Sequence, residues 1–92
     1  MNYNDTTQIS YVIRVICNFK YCYFTCHYGD NFGHIEPCFD NFMNSTKFTT
    51  IECAEKEWSR HRLDLVERYG EIVDWTSVQI CEIRTRIIKT LL

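Results

Sequence analysis

The chain has little of what would make a protein fibrous, flexible or membrane-bound. Only three glycines and one proline occur in 92 residues, which excludes collagen-like and linker-like compositions. No apolar run approaches the ~20 residues that a membrane-spanning helix needs. Residues 1–10 also lack the basic start and apolar stretch of an export signal. These absences predict an intracellular protein with no membrane segment.

The chain also lacks a large excess of positive or of negative charge. The formal net charge is −2 at pH 7 and the pI is about 5.9. This is too weakly acidic for a protein that imitates the charge of a DNA duplex. It is also far from the pI above ~9 that is typical of a domain holding a duplex by bulk electrostatics. Any contact with nucleic acid would therefore need a local basic patch.

What is present indicates one small globular domain, residues 1–92, because a chain of this length builds one compact core. The hydrophobic fraction of 46% is ordinary, and the aromatic fraction is 15%. That supply of large rings exceeds what a small core needs, and surplus Tyr and Trp often lie at interfaces. The six cysteines are predicted to be free thiols, as expected in a reducing cytosol.

Alternation of apolar residues predicts two strands in the first third of the chain. Residues 9–19 alternate with period two and are rich in β-branched side chains, and residues 20–28 continue the pattern. A turn near residues 18–20 would pair the two strands antiparallel. Residues 1–8 are predicted to be a loose polar start. One side of the first strand would carry Ile9, Tyr11, Ile13, Val15, Cys17 and Phe19.

The middle of the chain predicts a turn, an edge strand and a loop. Residues 29–33 form the clearest turn signal, and residues 34–39 predict a short third strand. Pro37 cannot donate to a strand ladder, so this strand belongs at an edge of the sheet. Residues 40–47 are predicted to be a polar loop.

Residues 49–69 predict a helix. The sequence Thr49-Thr50-Ile51-Glu52 matches a capping box with Thr49 as the cap. Gly70 stands where a glycine commonly ends a helix. Charged residues occupy the face opposite an apolar stripe. That stripe consists of Ile51, Ala54, Trp58, Leu65, Val66 and Tyr69.

The last segment, residues 72–86, is predicted to be a strand because it is rich in β-branched residues. Val73, Trp75, Cys81, Ile83 and Ile87 would face the core. The alternative is a second helix, since apolar residues here also recur at helical spacing. Together the elements predict an α+β fold: a small antiparallel sheet of three to four strands with one main helix on one face.

The strongest candidate for metal chemistry is Cys22-x3-Cys26-His27-x6-His34-x3-Cys38, because thiolate and imidazole are preferred zinc ligands. However, Cys22 and Cys26 fall on a predicted strand, about 13 Å apart, which is too far for one ion. Cys26 and His27 would point to opposite faces, so they cannot act as a nucleophile pair. We therefore predict no metal, no cofactor and no enzymatic activity.

One face of the predicted sheet collects arginines and tyrosines. These residue types dominate binding hot spots because they combine large area with directed hydrogen bonds. They also stack on bases and contact phosphates. The predicted partner-binding residues are Arg14, Tyr21, Tyr23, His27, Arg84 and Arg86, with Lys89 extending the basic edge.

The order strand, strand, helix, strand without a catalytic signature resembles the small phage-encoded anti-CRISPR proteins. It is most similar to inhibitors of type I-F surveillance complexes, through residues 11–15 (YVIRV), 54–58 (AEKEW) and 77–83 (SVQICEI). The resemblance implies a non-enzymatic inhibitor in the cytoplasm of the infected bacterial host. It would bind Cas proteins, with the guide RNA as a further contact, and block target DNA binding. We expect a monomer.

Two alternative interpretations of the same chain stay open. One is a small module that binds single-stranded nucleic acid through the Arg and Tyr face. Its affinity would fall steeply with salt. The other is a small zinc-binding interaction module, which would bind one metal per chain and unfold with a chelator.

Overall fold

The computed structural model describes the backbone of residues 2–28 and 35–91, and within them the side chains of residues 6–26 and 37–86. The strands form an antiparallel sheet in the order β3-β2-β1-β4, with the long helix on one side. The predicted α+β fold is therefore confirmed. The elements are β1 (Asn2–Cys17), β2 (Lys20–Tyr28), β3 (Ile35–Asp40), a 3-10 turn (Phe42–Asn44), α1 (Ile51–Tyr69), a second 3-10 turn (Gly70–Ile72) and β4 (Val73–Leu91).

The hairpin between β1 and β2 forms where the alternation predicts it. Cys17 pairs with Lys20 across a two-residue turn. Both turn residues have positive φ, 49° at Asn18 and 67° at Phe19. This is the turn geometry whose twist matches an antiparallel hairpin, and Asn tolerates it better than Phe does. The side of β1 that carries Ile13 and the side of β2 that carries Phe24 both face α1, as predicted.

The sheet opens beyond this hairpin, and another piece of chain fills the gap. Pairing of β1 with β2 begins at the turn and stops at Arg14. Residues 45–48 then lie between the two strands: the amide of Phe48 donates to Tyr11 O at 2.8 Å, and the amide of Thr46 donates to Phe24 O at 3.0 Å. The prediction of a polar loop over residues 40–47 agrees with residues 45–47, which belong to no strand, but hydrogen bonds hold this loop between β1 and β2.

The start of the chain is a strand and not the predicted loose segment. β1 begins at Asn2 and pairs with β4 as far as Leu91. Strand pairing is made by backbone hydrogen bonds, so a polar sequence does not prevent it. The predicted edge strand is confirmed as β3. The predicted turn at residues 29–33 lies outside the described residues.

The N-cap of the helix lies one residue later than predicted, and α1 begins at Ile51. Thr50 is the N-cap, and its Oγ1 accepts a hydrogen bond from the amide of Cys53 at 3.1 Å. Glu52 therefore does not occupy the position that a capping box requires. Gly70 ends the helix as predicted, with a φ of 54° and its amide donating to Val66 O.

The core lies between α1 and the facing side of the sheet, which we call the helix side. The fully buried residues Ile13, Phe24, Ala54 and Leu65 are each 0% exposed. Large half-buried rings complete this layer, as the aromatic content suggests. They belong to Tyr11, Phe39, Trp58, Tyr69 and Trp75.

The last segment is a strand, as predicted, but a bulge changes which of its residues face the core. Asp74 pairs with Ile16 and Gln79 with Arg14, so β4 takes five residue steps where β1 takes two. Because the difference in the number of steps is odd, each residue of β4 after the bulge points to the side of the sheet opposite to the one that simple alternation predicts. Ser77 accommodates the bulge, since its Oγ accepts the amide of Ile16 at 2.9 Å. As a result Ile80 faces the helix.

The predicted core positions before the bulge are correct, and the two after it whose side chains are described are wrong. Val73 is 3% exposed, and Trp75 packs on the core. Cys81 pairs with Val12 and Ile83 with Ser10, on the side of the sheet opposite the helix. The side chain of Ile87 lies outside the described residues.

Candidate functional site

Three of the predicted partner-binding residues lie together on the sheet side opposite the helix, which we call the outer side. Strand register brings them together, since Arg14 pairs with Tyr23 and Ile16 pairs with Tyr21. The Arg14 guanidinium lies 4.1 Å from the centroid of the Tyr21 ring. Its Nη2 also donates to Gln79 Oε1 at 2.7 Å. These two contacts hold the guanidinium over the ring.

Phe42 of the 3-10 turn and Lys47, in the segment after it, add two residues that the sequence did not single out. The rings of Tyr23 and Phe42 meet edge to face, with centroids 5.3 Å apart. Lys47 Nζ lies 5.1 Å from the Phe42 ring centroid. No alternation marks these positions, because the turn is irregular and folds back over the sheet. We call the group Arg14, Tyr21, Tyr23, Phe42 and Lys47 the outer patch.

The hairpin tip lies beside the outer patch. Phe19 is fully exposed at 101% of its reference area. Together with Ile16, Lys20 and Tyr21 it lines a shallow depression of about 210 Å³. An exposed Phe with positive φ next to this group extends its apolar surface.

The other predicted partner-binding residues do not join the patch in the described structure. Arg84 pairs with Ile9 and Arg86 with Thr7, which places both on the helix side and corrects the prediction that they share a face with Arg14. The physical reason is the bulge, which reverses the alternation of β4. Arg84 Nε contacts Glu82 Oε2 at 3.1 Å. The prediction of their role in binding rests on a shared face with Arg14, and without that shared face we expect the outer side to bind its partner without them.

Two further candidates can be placed only by their backbone. His27 pairs with Glu36 on the edge of the sheet, and Lys89 pairs with Asn4. Their side chains lie outside the described residues.

A second cluster of polar side chains lies between β2 and α1. His61 Nε2 is 3.7 Å from Cys26 Sγ and 3.3 Å from Glu57 Oε2. Cys26 is on the helix-facing side of β2, and Glu57 and His61 are one helical turn apart on α1. Burial raises the pKa of the Cys26 thiol above its ordinary value, and the negative charge of Glu57 adds to the shift.

His61 belongs to the buried stripe of the helix. It is 7% exposed, and its ring centroid lies 6.0 Å from that of Phe24. Cys26 is among the candidate ligands predicted from the sequence, whereas Glu57 and His61 are not. The spacing Glu57-x3-His61 was the available signal, because i and i+4 share a helix face.

The helix side also has an open groove of about 740 Å³ between α1 and the β1–β4 pair. Its walls are mostly apolar, from Tyr11, Ile13, Trp58 and Ile80, and its polar residues include Glu55 and Glu82. The groove differs from the outer patch in charge, because it carries carboxylates where the patch carries cations.

No protein-family model, curated protein or solved structure significantly matches this chain. Within the described residues, no helix has the length and apolar character needed to cross a membrane.

Proposed function

We propose that this chain is a non-enzymatic inhibitor that binds a type I-F CRISPR-Cas surveillance complex and blocks its binding of target DNA. The observation that supports a binding role is the outer patch, where Arg14, two tyrosines and Phe42 form one continuous aromatic and cationic surface. The identity of the partner rests on the resemblance of the chain order to anti-CRISPR proteins. The patch is the surface with which the chain contacts the complex.

The exposure of the patch supports this role. Tyr21 is 59% exposed and Phe42 is 40% exposed, so large rings stand in water where a partner can cover them. Tyr and Arg are the residues whose truncation most often costs 2 kcal/mol or more in an interface. The contact of Arg14 with Tyr21 fixes both side chains before binding, which lowers the entropy lost on association.

The charged side chains of the outer patch determine which chemical groups of a partner it can bind. Arg14 and Lys47 are the cations of the patch, and the carboxylates of Asp40 and Asp74 lie on the same side of the sheet, opposite Tyr23 and Ile16 in the strand register. The two cations can pair with acidic residues of a Cas subunit or with phosphates of a guide RNA. The same stacked Arg and Tyr favour a second candidate, a module that binds single-stranded nucleic acid directly.

The test is a gel-shift assay with a purified type I-F surveillance complex and its target duplex. The wild-type chain, added beforehand at near-stoichiometric amounts, is expected to abolish the shift. Tyr21→Ala combined with Arg14→Ala is expected to restore it. Arg84→Ala is the matched control, since it removes an exposed arginine from the other side of the sheet and is expected to inhibit like the wild type.

A pull-down on the same complex resolves the remaining outcomes. If the chain binds the complex but the DNA shift remains, the chain would inhibit the later nuclease step and not DNA binding. No binding at all would contradict the proposed partner. A titration with single-stranded oligonucleotides at low salt then tests the second candidate, whose binding must weaken as salt rises because counterions are released.

A further inference from the structure

We propose that Cys26, Glu57 and His61 form a binding site for a zinc-class divalent metal that joins α1 to β2. The three side chains come from two elements that are distant in sequence. Their ligand atoms, one thiol sulfur, one imidazole nitrogen and one carboxylate oxygen, all lie within 4.8 Å of one another. This inference does not depend on the outer patch or on the proposed partner.

The distances between the ligand atoms fit a tetrahedral ion. Zinc bonds of about 2.3 Å to sulfur and about 2.0–2.1 Å to nitrogen or oxygen give ligand-to-ligand separations of roughly 3.3–3.6 Å. The sulfur-to-nitrogen separation is 3.7 Å, and the nitrogen-to-oxygen separation is 3.3 Å. Two of the three separations therefore match a tetrahedral ion, and the third, between sulfur and oxygen, is no more than 4.8 Å.

Hydrogen bonding alone accounts less well for the same arrangement. Both Cys26 Sγ and Glu57 Oε2 approach the same ring nitrogen, Nε2 of His61. In a neutral ring this nitrogen either donates to the carboxylate or accepts from the thiol, so one of the two approaches lacks a full hydrogen bond. A cation accepts lone pairs from all three groups at once, and thiolate with imidazole is the donor pair that zinc prefers.

The surroundings of the cluster support a metal site. Arg60 Nη1 contacts the other carboxylate oxygen, Glu57 Oε1, at 3.3 Å. Outer partners of this kind orient the ligands of metal sites. The open side of the cluster faces a cavity of about 330 Å³ whose lining includes Cys26, Glu57 and Cys53. Solvent or the Cys53 thiol, one helical turn before Glu57, supplies the fourth ligand from there.

The position of the site explains what the metal would do. Beyond Tyr23, β2 no longer pairs with β1, and residues 45–48 lie hydrogen-bonded between the two strands. A bond from β2 through the ion to α1 would fix this opened part of the sheet to the helix. Metal bound only by the folded chain stabilises it by mass action, so the melting temperature would rise with metal concentration.

The experiment uses the full chain, reduced and stripped of metal, titrated with Co²⁺ alone. We expect one Co²⁺ per chain and a thiolate-to-cobalt charge-transfer band in the near ultraviolet. Added Zn²⁺ should displace the cobalt and raise the melting temperature. A folded wild-type chain that binds neither ion would overturn the proposal.

Variants locate the site among the six cysteines. Cys26→Ser should abolish the charge-transfer band, and Glu57→Gln should weaken affinity at least about tenfold, the loss that even outer partners of metal ligands produce. Cys81→Ser is the matched control, a thiol on the outer side that should leave binding unchanged. Undiminished binding by both Cys26→Ser and Glu57→Gln would overturn the assignment. Should Cys26→Ser fail to fold, Glu57→Gln decides alone, because that side chain is already 26% exposed.

Discussion

Both sides of the sheet carry aromatic side chains, which are buried or half-buried on the helix side and partly exposed on the outer side. On the helix side Ile13 and Phe24 are 0% exposed, and aromatic rings there pack against one another. On the outer side Tyr21 and Phe42 remain 59% and 40% exposed. Burial on one side supplies the stability of the fold, since removal of apolar area from water is the main favourable term. The rings of the other side are left available for a partner.

The contrast is not absolute, because the outer side is partly covered. Val12 and Thr25 point to this side, yet they are only 1% and 2% exposed. Thr25 Oγ1 donates to Asn44 O at 2.9 Å, so the 3-10 turn folds over that end of β2. The large rings of the outer side that stay exposed, those of Tyr21 and Phe42, belong to the outer patch.

The largest effect is expected from a truncation on the helix side. Phe24→Ala should lower the free energy of unfolding by about 3–5 kcal/mol, because it leaves a cavity among Phe48, Trp58 and His61. Tyr21→Ala, on the same strand but facing outward, should cost no more than about 1 kcal/mol. Urea denaturation of both variants checks this, and equal losses would contradict the division between the two sides.

A second expectation concerns alkaline pH. Burial, with the neighbouring Cys22 as a further cause, raises the pKa of the Cys17 thiol from 9.0 to about 12. The unfolded chain therefore loses this proton first, and the stability contributed by the neutral buried thiol is complete below pH 9 and lost as pH rises towards 12. The full effect is on the order of a few kcal/mol.

The measurement for Cys17 is the dependence of unfolding free energy on pH. The stability advantage of the wild type over Cys17→Ala should shrink as pH rises above 9. Cys81→Ala, a thiol from the outer side, serves as the matched control. An advantage that stays constant up to pH 12 would show that the Cys17 thiol does not titrate differently in the two states.

A smaller effect is expected at the start of the helix that covers the sheet. Thr50→Ala removes the side chain that caps α1 and should cost about 0.5–2 kcal/mol. Thr49→Ala, one residue earlier, should change stability by less than about 0.5 kcal/mol. Thermal melts of the pair distinguish the observed cap from the capping box expected from the sequence. A larger loss for Thr49→Ala would favour the capping box.

The parts of the fold that follow from local pattern could be predicted. The alternation from Ile9 to Cys17 assigned the correct side to each residue of that strand, and Gly70 marked the end of the helix. The alternation of β4 gave the correct element but the wrong side after Trp75. A bulge depends on how two strands align, and the sequence of one strand does not contain that information.

The candidate sites show the same limit. Arg14, Tyr21 and Tyr23 could be grouped because a hairpin joins their strands. Phe42 and Lys47 reach the patch only through a turn that folds over the sheet. The cluster of Cys26 with His61 joins residues 35 positions apart, so spacing along the chain could not reveal it.

The most direct test of the proposed function is the affinity of the chain for a type I-F surveillance complex, measured with variants from each side of the sheet. Arg14→Ala and Tyr21→Ala should each weaken binding by at least about 2 kcal/mol while leaving stability nearly unchanged. Arg84→Ala should bind like the wild type. Normal binding by both outer-patch variants, or loss of binding by Arg84→Ala alone, would contradict the assignment of recognition to the outer patch.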